Sequence, residues 1–355
     1  MKKILGAVTA VAILAPSLAL AQASANLYGR LDASLNYRAF GSTAAVGSTP
    51  AKADSHFTSI SSDTSYWGIV GKEDLGDGRK AYFKMESGIN VDNGTQVSPT
   101  LFNRESYVGL GDANLGSIEV GSFFGPGLAL SGELDPFQRS NLGGQHTLMQ
   151  TGSANLRGYT LKYDNTIRYV SPLKNPLVVR VYVSLGEGVI PGPNYASYIR
   201  YANGAWVIGS TYDKNRVTAV SLGLTGATVT SQTLSLASKY ATSFGSLNAW
   251  YQTNRVPGLV NADAYMIGAT ILAGPGEIRT SVARETTGTA KASLAAIGYF
   301  YPLSKRTMLY AAVGRLNNQS TTFSMWPTYN EAASMGLPGK GQSIAGSQLG
   351  IRTFF

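Results

Sequence analysis

The chain has 355 residues, with Lys+Arg 29, Asp+Glu 20, 41 Gly, 20 Tyr, two His and no Cys, and a formal net charge of +9. The lack of cysteine excludes disulfide scaffolds, cysteine metal sites and thiol chemistry. Charged residues are only 14%, against roughly 25% in an ordinary soluble domain. Mean hydropathy is near zero, so Gly, Ser, Thr, Asn and Tyr replace the missing charge, a composition that favours short strands and turns over helices.

The first stretch, MKKILGAVTAVAILAPSLALAQASA, reads as a leader for export. Lys2 and Lys3 form a basic start, Ile4 to Leu20 an apolar stretch, and A-x-A sites follow at Ala19–Ala21 and Ala23–Ala25. This order of charge, apolar run and small residues is what signal peptidase reads. Cleavage is expected after Ala21, with Ala25 as the alternative, so that 1–21 is a signal peptide and 22–355 one domain. No later run of 18 apolar residues exists to form a spanning helix. A barrel strand needs only about 10 residues of alternating polarity.

That alternation starts at once. In NLYGRLDASLNYR, Leu27, Gly29, Leu31, Ala33, Leu35 and Tyr37 share one face, and Tyr28, Arg30, Asp32, Ser34, Asn36 and Arg38 the other. LVVRVYVS (177–184), YASYIRY (195–201) and SLNAWYQT (246–253) repeat the pattern. Many apolar-face residues are small, which lipid tolerates and a sandwich core does not. Short turns are expected at 75–78, 112–116, 172–176, 203–204, 242–245, 274–276 and 304–305. Longer polar stretches at 39–63, 91–100, 124–158, 188–194, 214–230, 255–261, 286–290 and 317–341 alternate with them. The count is about 16 strands, with 18 as the alternative. The fold class is all-β, a transmembrane antiparallel β-barrel with long loops at one rim, short turns at the other and a lumen too wide for side chains to fill.

Several segments resemble Gram-negative general porins of β-proteobacteria (Burkholderia-, Bordetella- and Neisseria-like): NLYGRLDASLNY, SYWGIVGKEDLGDGRKAYFKMESGIN (65–90), FNRESYVGL (102–110), LGSIEVGSF, YDNTIRYVSP (163–172) and the terminal LGIRTFF. The resemblance implies an outer-membrane homotrimer of barrels, each with a water-filled pore. It also implies that the third long loop, about 124–158, folds inward and narrows the channel. That loop carries Glu133, Asp135, Arg139 and His146. In the resembled family the C-terminal pattern is an address read by the barrel-assembly machinery. Here that pattern is Phe355, Ile351 and Leu349 on one face of the last strand, with Phe355 expected in the interfacial aromatic girdle. Periplasmic chaperones, the bilayer and lipopolysaccharide are the other implied partners.

Parity carried along the strands puts Arg30, Arg38, Lys80, Lys84, Arg104, Lys162, Arg168, Arg180 and Arg200 on the lumen face. Against them stand Asp32, Glu86 and Asp164, with Glu133 and Asp135 on the loop. Excess positive charge raises the local concentration of anions, so a passive, weakly anion-preferring channel for small hydrophilic solutes is expected. The alternative is a channel selective for one sugar or anionic metabolite. Arg168 matches one basic position of the family's constriction. Tyr66 or Val70, and Ser122, stand where basic residues are usual, which points to a less charged constriction.

No catalytic chemistry is legible. His56 and His146 are expected as solvated loop residues, and the chain lacks G-x-S-x-G, H-E-x-x-H, G-x-G-x-x-G and P-loop motifs. Neither enzyme activity, cofactor nor metal is expected. Lys and Arg are dispersed at strand spacing with no basic stripe, which argues against nucleic acid as a partner.

Overall fold

The structure is a computed structural model that describes residues 24–41, 43–44, 56–149, 158–173, 176–187, 193–219, 224–226, 228–319, 337–338 and 341–355. The expected leader, 1–21, lies outside these residues. The first half of the chain forms β1 (Ser24–Phe40), a two-residue β2 (Thr43–Ala44), β3 (His56–Ser62), β4 (Tyr66–Gly76), β5 (Arg79–Gly88), β6 (Glu105–Asp112) and β7 (Gly116–Phe124). Two short helices follow, α1 (Pro126–Leu134) and α2 (His146–Met149), then β8 (Lys162–Val170), β9 (Leu177–Ser184) and β10 (Asn194–Asn203). The second half forms β11 (Trp206–Thr218), β12 (Thr228–Thr242), β13 (Gly245–Arg255), β14 (Ala262–Ala273), β15 (Gly276–Thr287), β16 (Ala290–Pro302), β17 (Thr307–Gln319), a two-residue β18 (Leu337–Pro338) and β19 (Ser343–Phe354).

Apart from the β2–β18 pair, every strand joins one antiparallel sheet that closes on itself. The seam joins β1 to β19, from Arg30 opposite Phe354 to Phe40 opposite Ile344. Closure removes the unpaired edges that lipid could not satisfy. The last residue completes the seam: Gly29 and Phe355 exchange two backbone hydrogen bonds of 3.1 Å. The Phe355 ring lies over Gly29, where any Cβ would collide with it.

Segments β3 and β4 both pair with β1 and act as two halves of one barrel strand, giving sixteen. Thr64, at φ 56°, breaks the strand between them. Ser65 Oγ fills the gap, accepting from Asp32 N at 2.8 Å and donating to Asp32 O at 3.0 Å. The expected loop 39–63 therefore contains a strand that its polar sequence, HFTSISS, hides.

Long and short connections alternate from rim to rim with one correction. The expected loop 286–290 is a two-residue turn between Thr287 and Ala290, where Gly288 takes φ 61°. The outer face bears exposed apolar side chains, among them Leu27, Val108, Leu110, Ile267 and Leu349, as a lipid-facing band requires. Arg30, Asp32, Ser34, Asn36 and Arg38, on the other face of β1, are buried. Register carries this inner face from strand to strand: Asp32 faces Arg352, Arg30 faces Tyr66, Lys84 faces Tyr107 and Glu119 faces Arg168.

Candidate functional site

The inner face divides into two unlike halves. From β4 to β10 it is basic and aromatic. Lys84 Nζ lies 2.6 Å from Glu105 and 3.2 Å from Glu86. Arg104 Nε donates to Glu86 at 2.5 Å, and Arg168 Nε to Glu119 at 2.5 Å. Arg168 also lies 3.9 Å from Glu105. Tyr28 donates to Glu86 at 2.7 Å and Tyr82 to Glu119 at 2.6 Å. These groups surround a cavity of about 260 Å³ lined by Tyr28, Tyr66, Lys84, Glu86, Arg104, Glu105, Phe124, Ala129, Arg139, Arg168 and Arg180. A second cavity of about 600 Å³ runs from the short-turn rim at Gly78, Asp112 and Pro172. It shares Glu105, Arg168 and Arg180 with the first, so the two adjoin across these side chains.

From β12 to β17 the inner face instead carries an apolar patch set among polar side chains such as Asn248, Gln252, Arg279 and Ser281. Ala237, Trp250, Ala264, Met266, Ala283, Leu294, Phe300 and Leu316 are buried there. They form one cluster with Leu128, Leu130, Leu134, Phe137, Leu142, Leu148 and Met149 of the 125–161 connection. Strand glycines make room for it. A Cβ on Gly268 would meet Pro136 at 2.6 Å, one on Gly314 would meet Leu142 at 3.3 Å, and one on Gly209 would collide with Leu130. Burial of this apolar surface stabilises the connection against the wall. Around it, polar wall groups bind its backbone: Asn248 donates to Leu134 O at 2.8 Å, Gln252 to Met149 O at 2.7 Å and Ser281 to Gly143 O at 2.7 Å. At the seam, Asn141 N donates to Asp63 at 2.6 Å and Arg352 Nη2 to Ser140 Oγ at 2.9 Å. On the open side, Arg200 grips Glu133 of α1 through two bonds, 2.8 and 2.6 Å.

Within the connection, Asp135 is buried and accepts backbone N–H bonds from Phe137, Arg139 and Gln145, each 2.9 Å. Burial pushes its carboxyl up to about 6, and these three bonds and Arg279 oppose that rise. The expectation of a solvated His146 is overturned. It is buried in α2, where desolvation and then the neighbouring Arg139 charge hold its imidazole down at about 3. His56 opens β3 with its ring stacked on Tyr37, centroids 6.2 Å apart.

Near the seam, Arg30 donates to Asp63 O at 2.8 Å, Asp32 pairs with Arg352 at 2.5 Å, and Arg38 is buried near the long-loop rim. Arg180 lies over the Tyr198 ring, 4.5 Å from its centroid. Asp164 does not reach the inner face. The ladder shifts between Gly121 and Phe123 opposite β8, so Tyr163 turns inward to Asp213 at 2.5 Å. Asp164, the next residue, projects to the opposite, exposed side and accepts from Ser122 at 2.5 Å. Strict parity also missed Glu105. Arg104 precedes β6 and curls inward, so both it and Glu105 join the cluster. Glu119 was legible as the residue opposite Arg168, had the β7–β8 register been known. With Glu105 and Glu119 present, the expected excess of positive charge is smaller than the sequence count. Leu349, Ile351 and Phe355 are exposed on the outer face of the last strand. Among the described residues no group of His, Asp and Glu could hold a metal ion.

Comparison with known proteins agrees with this architecture. The chain is 27% identical to an outer membrane porin protein of Bordetella pertussis, over 88% of this chain and 93% of the relative. It is 27% identical to outer membrane porin protein 32 of Delftia acidovorans, over 98% of each. The solved anion-selective porin from Comamonas acidovorans superposes with a TM-score of 0.80 at 23% identity, covering 94% of this chain and 100% of that one. The sequence model of the Gram-negative porin family matches residues 7–321. With most of the chain matched and sixteen strands closed around a polar interior, the protein belongs to the Gram-negative porin family, whose members are passive channels of the outer membrane.

Proposed function

We propose that the channel is open along the β4–β10 wall and weakly prefers anions, passing small hydrophilic solutes by size. The described parts of the third long connection, 125–149 and 158–161, form the constriction, entering the lumen and covering the apolar patch of the β12–β17 wall. Lys84, Glu86, Arg104, Arg168 and Arg180 line this passage, while Arg30, Asp32, Arg38, Glu133 and Asp135 set its frame from the seam and from the inserted segment. One observation carries this reading. The cavity at the narrow level is bounded by Lys84, Arg104, Arg139, Arg168 and Arg180 against only Glu86 and Glu105. Such an excess attracts anions and repels cations across a water-filled gap, and the anion-selective Comamonas porin shares the barrel fold.

The test is the zero-current potential of purified protein in a planar bilayer across a KCl gradient. An anion-preferring pore makes the dilute side negative, and a positive dilute side overturns the reading.

Export, assembly and oligomeric state complete the proposal. Cleavage after Ala21 is supported by β1 itself, because Ser24 and Ala25 already pair with Lys72 and Gly71 and a cut after Ala25 would remove them. Leu349, Ile351 and Phe355 serve as the signal for the barrel-assembly machinery. Periplasmic chaperones deliver the chain, and lipopolysaccharide surrounds the mature barrel. The functional unit is a homotrimer, supported by an apolar recess of about 650 Å³ on the outer face, where Ala311 and Ser347 are flanked by Leu35, Ile297, Val313 and Leu349. Cross-linking in native membranes checks the stoichiometry.

A further inference from the structure

Three guanidinium groups at the narrow level lie over aromatic rings. Arg168 Cζ is 3.9 Å from the Phe123 centroid, Arg104 Cζ is 4.5 Å from Tyr66 and 4.9 Å from Phe124, and Arg180 Cζ is 4.5 Å from Tyr198. A guanidinium stacked on a ring has its faces covered and keeps its N–H edges for in-plane acceptors. Those edges are unequally occupied. Arg104 spends Nε on Glu86 and Arg168 spends Nε on Glu119. Among the described residues Arg180 has no carboxylate partner. All three arginines border the same cavity of about 260 Å³, which is below the roughly 300 Å³ at which sites for drug-sized ligands begin. Space, flat surfaces and one uncommitted guanidinium edge coincide there.

We infer that this cavity is a transient binding subsite for aromatic monocarboxylates of a single ring, with the carboxylate on the edge of Arg180 and the ring against the Tyr66 and Phe124 rings that border the cavity. A carboxylate meets a guanidinium edge through two parallel hydrogen bonds. A planar ring adds stacking on the Tyr66 and Phe124 rings, and a puckered saturated ring of the same charge does not. A phosphate would use the edge and leave the rings unused. The inference rests on the anion-preferring reading above and narrows it to a substrate class.

The experiment compares benzoate with cyclohexanecarboxylate, equal in charge and close in size, as blockers of chloride current through single channels. Benzoate is expected to give saturable block at a concentration about three- to tenfold lower than cyclohexanecarboxylate, the range an aromatic contact supplies. Arg180→Gln is expected to abolish saturable block by benzoate. Equal block by the two acids, or block by neither, overturns the subsite even where the zero-current potential remains anion-favouring. A cation-favouring zero-current potential in the same channels overturns the anion reading itself. The comparison of acids needs only the wild-type protein, so the inference is testable whether or not the variant assembles.

Discussion

Removing the Phe137 ring tests whether apolar packing, and not the polar bonds, holds the 125–161 segment in place. Phe137 is fully buried, packs on Phe300 with centroids 6.0 Å apart, and belongs to the cluster formed with the β12–β17 wall. Phe137→Ala leaves a cavity in a region that cannot collapse, because the barrel wall is fixed by its ladder. Such truncations cost about 3–5 kcal/mol. The loss falls on the segment's local closure, since the strands keep all their pairings. Even about 3 kcal/mol shifts an open–closed equilibrium by more than about a hundredfold. Single-channel recording is expected to show larger conductance and increased open-channel noise, while Phe137→Leu stays near wild type. If the alanine variant keeps its barrel, judged by heat-modifiable mobility, yet conducts with unchanged amplitude and noise, the packing argument is wrong.

Three further outcomes are expected. Asp135 is raised to about 6, so it favours the folded segment at acid pH and loses that contribution as pH rises from about 4 through 6. His146 is lowered to about 3, so it contributes fully above about 6.5 and loses this as pH falls toward 3. Between about pH 4 and 6 the two one-proton slopes cancel, and open-channel noise is expected to be flat there and to rise below about pH 4. His146→Gln uncovers the Asp135 slope, so noise grows from about pH 4 to 6; a flat profile in that variant refutes the assignment. Asp32→Asn strips the partner from Arg352, which is 1% exposed, and a stranded buried charge costs about 3–5 kcal/mol. The readout is a lower unfolding temperature of the barrel, and an unchanged one counts against the pair as a seam lock. Glu105→Gln frees Lys84 and Arg168 of a carboxylate, so the zero-current potential is expected to move toward stronger anion preference. A shift toward cations contradicts the electrostatic account.

Barrel architecture was legible in the sequence because a strand's alternation is local. Leu27 to Tyr37 and their polar neighbours declare two faces within a dozen residues, whatever lies beside them. The rhythm of short turns and long loops then gave about 16 strands with 18 as the alternative, and misjudged the length of one connection, the turn at Gly288. The constriction was legible only in part, because it depends on register and on irregularities. Whether Glu105 and Arg104 both point inward, or Asp164 points out, is decided by a strand start and a ladder shift that no window of alternation reveals.

The contact between the 125–161 segment and the wall left a faint trace, strand-interior glycines at 209, 268 and 314 on inner-face parity, which mark close approach by another element. Sequence by itself determined that the regularly alternating strands have one greasy side and one wet side, since side-chain direction follows backbone geometry alone. Only the tertiary structure decided which wet-side residues meet each other. Those meetings, Arg168 with Glu119 or Leu142 with Gly314, join residues tens to hundreds of positions apart. Their energy depends on distances that the chain acquires on closing into a ring.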